Sequence, residues 1–199
     1  AATTADAARC QGDYARAAEL YSESLALYQQ LGNRAELPAI LHNQGYVALG
    51  LHDYAAAREL FGESLRRQQD AGNYAGIAEG LNALAALAVA EGQPARAARL
   101  FGAAAAIQAA HPAPIWPAER FEIERHQAKL RGQLSERTRE GLQREGGAFS
   151  GAQAVAYALT DETPAGAHAA APKPPSRLQS LSARERDVAA LIAQGASNR

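Results

Sequence analysis

Methionine is absent from all 199 residues, position 1 included, which is the expectation for an internal piece of a longer protein. Cysteine occurs once, at Cys10, so no internal disulfide can form, and nothing resembles a secretory signal; both fit a reducing cytoplasm. With no histidine-containing base motif beside it, Cys10 reads as small buried filler rather than a nucleophile. An excess of charge of one sign is lacking too. Twenty Lys and Arg face 21 Asp and Glu, a net charge of −1, so no chain-wide field recruits nucleic acid and any such affinity is local. The longest apolar run, Leu81 to Ala90, is broken by Asn82 and falls short of the roughly 20 residues a bilayer requires, so no membrane partner is expected.

Catalytic signatures are missing as well. There is no Gly-x-x-x-x-Gly-Lys-[Ser/Thr] loop to cradle a phosphate, no Gly-x-Ser-x-Gly and no His-Glu-x-x-His. His42, His52, His111, His126 and His168 are scattered at spacings that form no zinc motif, and each is expected to be solvated or to cap a helix. Glu119, Glu122 and Glu124 interleave with Arg120 and Arg125, the composition of a solvated helix face laced with ion pairs rather than of a paired-carboxylate site. No enzyme activity, cofactor or metal is expected.

What is present is a repeat. Asp13-Tyr-Ala-Arg-Ala-Ala-Glu-Leu-Tyr21, Asp53-Tyr-Ala-Ala-Ala-Arg-Glu-Leu-Phe61 and Gln93-Pro-Ala-Arg-Ala-Ala-Arg-Leu-Phe101 superpose without gaps at a step of 40 residues. Self-similarity at this period indicates stacked supersecondary units, not one closed core. Each unit sets a small residue four before an aromatic one, Ala17/Tyr21, Ala57/Phe61 and Ala97/Phe101. On a helix these share a face, so the small residue admits a neighbouring helix while the ring fills the space beside it. Leu41 and Gly45, then Leu81 and Ala85, supply the facing surface of a preceding helix. The pattern resembles the tetratricopeptide repeat, which sets Leu-Gly in a first helix and Ala-x3-Phe in a second, although the usual repeat is about 34 residues. The additional residues read as longer helices, a variant known from large bacterial regulators resembling MalT. HEAT-type repeats also run near this length, but the Gly12-Asp13-Tyr14 and His52-Asp53-Tyr54 corners favour the tetratricopeptide reading.

The expected map is a truncated helix at 2–11, then helices at 14–30, 35–50, 54–70, 75–91 and 94–110. Three prolines in His111-Pro-Ala-Pro-Ile-Trp-Pro117 end the array. Helices near 118–132, 135–146 and 150–160 follow out of register with the repeat, with Phe121, Leu130, Leu134, Leu142, Phe149 and Tyr157 available for burial, as in the cap that terminal repeats need. Asp161 to Gln179, with Pro164, Pro172, Pro174 and Pro175, reads as a linker.

In the last segment Ser182 can N-cap a helix and Glu185 can bond back to it; Val188, Leu191 and Ile192 share one face, Gly195 supplies a left-handed exit, and Ser197 can cap a second helix. With Leu181, Arg184, Ala193, Asn198 and Arg199 this resembles the helix-turn-helix of the LuxR family of regulators, stopping before the helix that enters the major groove. The resemblance implies DNA as a partner of the complete parent protein. Within this chain Arg184, Ser197, Asn198 and Arg199 would touch phosphates only.

The fold class that results is all-α: a tetratricopeptide-like helical-repeat superhelix over 1–114, capping helices over 115–160, a linker over 161–179 and an incomplete helix-turn-helix over 180–199. The remaining functional surface is the inner face of the superhelix, where Ala39, His42, Asn43, Tyr46 and Leu49, then Glu79, Asn82, Ala86 and Val89, should project. His42, Asn43, Tyr46, Glu79 and Asn82 are the residues expected to bind a peptide, a protein or a small effector at the floor of an apolar groove, or else only to solvate a concave wall. Two functions follow: a LuxR-class regulator whose repeats sense a partner, or a repeat scaffold with no part in transcription. Proline content and weak apolar patterning expose the linker, so limited proteolysis should cut first between Asp161 and Gln179; a first cut within residues 54–110 would refute that assignment.

Overall fold

The polypeptide turns corners by one device used four times. At each, the residue two past the end of a helix lies in the left-handed region, Gly12 (φ 82°), His52 (φ 62°), Gly72 (φ 65°) or Gly92 (φ 71°), and the next residue stands at the N-cap of the following helix. Paired bonds close each end: at the third corner the Gly72 N–H donates to the Gln69 carbonyl (3.0 Å) and the Asn73 N–H to that of Gln68 (2.9 Å). Asp13, Asp53 and Asn73 then accept from the backbone N–H of Arg16, Ala56 and Gly76.

A computed structural model describes residues 2–30 and 35–160. Among them are nine helices and no strand: α1 (Ala2–Cys10), α2 (Tyr14–Gln30), α3 (Leu37–Gly50), α4 (Tyr54–Asp70), α5 (Tyr74–Ala90), α6 (Pro94–Ala110), α7 (Pro117–Gln133), α8 (Glu136–Gly147) and α9 (Gly151–Leu159). All but α3, which starts two residues later than expected with Pro38 in its first turn, fall within a residue of the expected spans. The expected linker and helix-turn-helix lie outside the described residues.

Helices pair as α1 with α2, α3 with α4, and α5 with α6. The small-and-aromatic stripe is what packs them: Ala17, Tyr21, Ala57, Phe61, Ala97 and Phe101 are all buried. A Cβ on Gly45 of α3 would lie 2.5 Å from the Phe61 ring, so the ring occupies the place a side chain would take. Helix α5 is apolar nearly all round and correspondingly buried on every side, against α4, α6, α7, α3 and α9.

Ala1–Thr160 forms one compact unit, so α7–α9 belong to the same body as the repeats. Helices α6 and α8 cross at Gly102 and Gly146, where a Cβ on either would run into the backbone carbonyl of Gln143 or Arg99. Ser150 and Gln153 form a reciprocal capping box that starts α9. The end of α9 is held by Arg96 of α6, which donates to the carbonyls of Tyr157, Ala158 and Thr160 at 3.0, 3.0 and 2.9 Å. Leu130 is fully buried, while Leu134, Leu142, Phe149 and Tyr157 pack against the core from its edge. Phe121, expected inside, is instead 42% exposed.

The corners generate a paired prediction. No atom lies within 4 Å of a Cβ built on Gly72, so Gly72→Ala meets only the backbone cost and should lose about 1 kcal/mol of stability in thermal unfolding. His52→Gly relieves the same strain against an exposed contact of its Nδ1 with the Tyr54 hydroxyl at 3.0 Å, and should gain up to about 1 kcal/mol. Equal stabilities for both variants and the parent would contradict this account of the corners.

Candidate functional site on the first-helix face

Helix α7 has a face that composition conceals. Glu119, Glu122, His126 and Leu130 recur at helical spacing and are all buried, whereas Phe121, one residue round the helix from Glu122, points outward. The expectation of a solvated acidic face here is therefore overturned. The physical cause is Arg9 of α1, buried to 1% exposure, which needs a counter-charge and finds it in Glu122 at 2.9 Å.

The stripe lies across the first helices of the repeat pairs. Glu119 Oε2 accepts from His42 Nε2 of α3 at 3.0 Å. Gln133 Nε2, at the other end of α7, donates to the Val89 carbonyl of α5 at 3.4 Å. The Arg9 guanidinium lies 4.8 Å from the centre of the Tyr46 ring, and that ring meets His42 and Phe61 edge-on, each at 5.1 Å between centroids. His42 and His126, expected to be solvated or capping, are thus both buried parts of this cluster.

Of the residues expected to line an open groove, His42, Tyr46 and Glu79 come together around Glu119, and α7 covers them. Asn43 and Asn82 are half-buried and take no hydrogen bond within the cluster. Arg184, Ser197, Asn198 and Arg199 lie outside the described residues. Arg9, Glu119, Glu122 and His126 escaped sequence reasoning; the spacing of Glu119, Glu122, His126 and Leu130 was the signal that could have found three of them.

Burial dominates the electrostatics. It raises the Glu122 carboxyl above its ordinary value against the pull of Arg9 and Arg125, and raises Glu79 against that of His42. The Tyr46 phenol is pushed well up, first by burial and then by Glu119 and Glu122. Three buried polar atoms of the described residues have no hydrogen-bond partner, Arg9 Nε, Tyr46 Oη and Glu119 Oε1, and all three belong to this interface. Each such atom costs about 1–3 kcal/mol. Beside the cluster a cavity of about 400 Å³ is lined by Tyr14, Tyr54, Arg125, His126 and Lys129 among others, and Arg125 donates to the Tyr14 hydroxyl at 3.3 Å.

A family model described as the tetratricopeptide repeat matches residues 2–70, the span of α1–α4. No curated protein and no solved structure shows significant similarity to the chain. The described residues form an all-α helical-repeat fold, and the repeat type matched over residues 2–70 is one that commonly binds protein or peptide partners. No described helix is long and apolar enough to cross a membrane, and no described group of His, Cys, Asp and Glu is arranged to hold a metal ion.

The cluster carries a pH signature. Burial lowers the His126 imidazole from 6.5 to about 4, against the bond its Nδ1–H donates to the Glu122 carbonyl, with Lys129 and Arg125 adding to the fall. Between those values the unfolded chain binds a proton that the folded one refuses, so the contribution is fully present above pH 6.5 and is lost as pH falls towards 4. Glu79 and Glu122, raised by burial, act in the opposite sense. Comparison with His126→Gln isolates the histidine: from pH 7 to pH 5 the parent should lose about 2 kcal/mol more than the variant in denaturant titrations. Parallel losses would place His126 in water.

Proposed function

We propose that this chain is the partner-sensing module of a DNA-binding transcriptional regulator, and that partners act on its first-helix face. The observation that carries the reading is α7 itself. Repeat arrays of this kind bind through their extended inner surface, and here that surface already holds a helix through Glu119–His42 and Glu122–Arg9. A face able to grip a helix by buried charge and one leucine is equipped to read a partner helix. The link to DNA rests on Leu181 to Arg199 and their likeness to a LuxR-type helix-turn-helix, where Arg184, Ser197, Asn198 and Arg199 would orient on phosphates. The cavity beside α7, with Arg125 and Lys129 at its wall, offers a small anionic effector a place from which to bias the same helix.

Titration of duplex DNA at two salt concentrations tests the regulator reading. The 199-residue chain should bind no tighter than about 10⁻⁶ M, lose affinity with salt and show no preference among sequences, because the net charge is −1 and Arg184, Ser197, Asn198 and Arg199 would meet phosphates rather than base edges. A version extended through the rest of its reading frame should select one promoter duplex. Selectivity in the shorter chain, or none in the longer, would sink the regulator reading and leave a repeat scaffold that binds a protein partner.

A further inference from the structure

The seat of α7 is poorly made for a permanent part of the core. Its buried stripe of Glu119, Glu122, His126 and Leu130 contains a single apolar side chain. The three buried atoms without a hydrogen bond, Arg9 Nε, Tyr46 Oη and Glu119 Oε1, are all at this seat and at no other described place. The two sides are nonetheless matched in charge and register: an arginine and an imidazole on α1 and α3 meet two carboxylates three residues apart on α7. The connections are unlike those of the repeats. Pro112 and Pro114 fall in the non-helical stretch before α7, and α8 is fixed separately by its glycine crossing with α6.

We propose that α7 is a built-in occupant of a helix-binding surface, displaced by a partner protein's amphipathic helix that carries two acids three residues apart and a leucine eight beyond the second. The proposal rests on the partner-binding reading above and names the chemistry of that partner. The acids replace Glu119 and Glu122 on His42 and Arg9, the leucine replaces Leu130, and a hydrogen-bonding group next to Tyr46 Oη and Arg9 Nε supplies what α7 leaves unmet. A tethered helix competes at an effective concentration in the millimolar range, so a partner gains over it through such additional bonds, whereas an untethered copy of α7 displaces it only when added at a comparable concentration.

The chain contains its own reporter. Its single cysteine, Cys10 of α1, and its single tryptophan, Trp116 at the start of α7, line one cavity of about 370 Å³ with Asp6, Ala7 and Phe121. A bimane attached to Cys10 should be quenched by Trp116 while α7 is seated, with Trp116→Phe giving the unquenched level. The probe is a synthetic peptide of residues 117–133, which contains no tryptophan. It should raise the emission saturably, at least twofold, towards the Trp116→Phe level. The same peptide carrying E119Q and E122Q, with Glu124 kept, should need at least tenfold more. Leu130→Ala in the chain should lower the midpoint at least tenfold; if that variant loses its helical signal, Glu119→Gln takes its place with the same direction expected. Peptide binding seen by anisotropy without a rise in emission would overturn displacement while leaving the partner-binding reading intact. No binding up to 1 mM by parent or variant would overturn both. Equal potency of the glutamine peptide would overturn the acidic chemistry. A rise in emission with chain concentration alone, accompanied by a dimer in light scattering, would make a second copy the occupant and overturn the partner helix.

Discussion

The Phe61 ring reaches its place only because Gly45 on the facing helix has no side chain, and the stacking of the repeats depends on close approaches of that sort. A ring against a bare backbone brings two helices nearer than leucine against leucine would, and that nearness sets the direction in which the next pair must lie. Gly80 against Leu65 of α4 repeats the arrangement one helix along. Helix α5, placed between these contacts and α6, has no face left for water, which is why its sequence could be almost wholly apolar.

Charge inside this framework has a different role. Arg9 and Glu122 are buried, and burying an ion pair in place of a well-packed apolar pair adds little net stability. Its effect is to specify position: with Arg9 buried on α1, only a helix offering a carboxylate at that height can close the surface. The ring of Tyr46 beneath the guanidinium and the edge contact with His42 hold the receiving side in one arrangement. Selection of α7 is thus made by charge and register more than by greasy area.

The corners and the repeat stripe were legible in the sequence because each is a local rule: Gly72 followed by Asn73 is a stop and a cap, and Ala57 four before Phe61 is a single helical face. The position of α7 was not, because it follows from a contact between residues 113 apart. Composition placed Glu119 and Glu122 in water and Phe121 inside; the demand of one buried guanidinium rotated the helix the other way. His42 and Tyr46 were placed on the correct face, but nothing local to them shows that another part of the chain lies over it.

The two ends of α7 are leashed unequally. Six residues, His111 to Trp116, separate it from α6, a length that can span about 20 Å when extended, whereas only Leu134 and Ser135 separate it from α8. Because α8 is in backbone contact with α6 at Gly102 and Gly146, the short leash ends on a helix already packed closely against the repeats. Any travel of α7 is therefore angular, a swing about Gln133 with the greatest arc at Trp116, and the acids at 119 and 122 lie on the long arm of that lever while Leu130 lies close to its pivot.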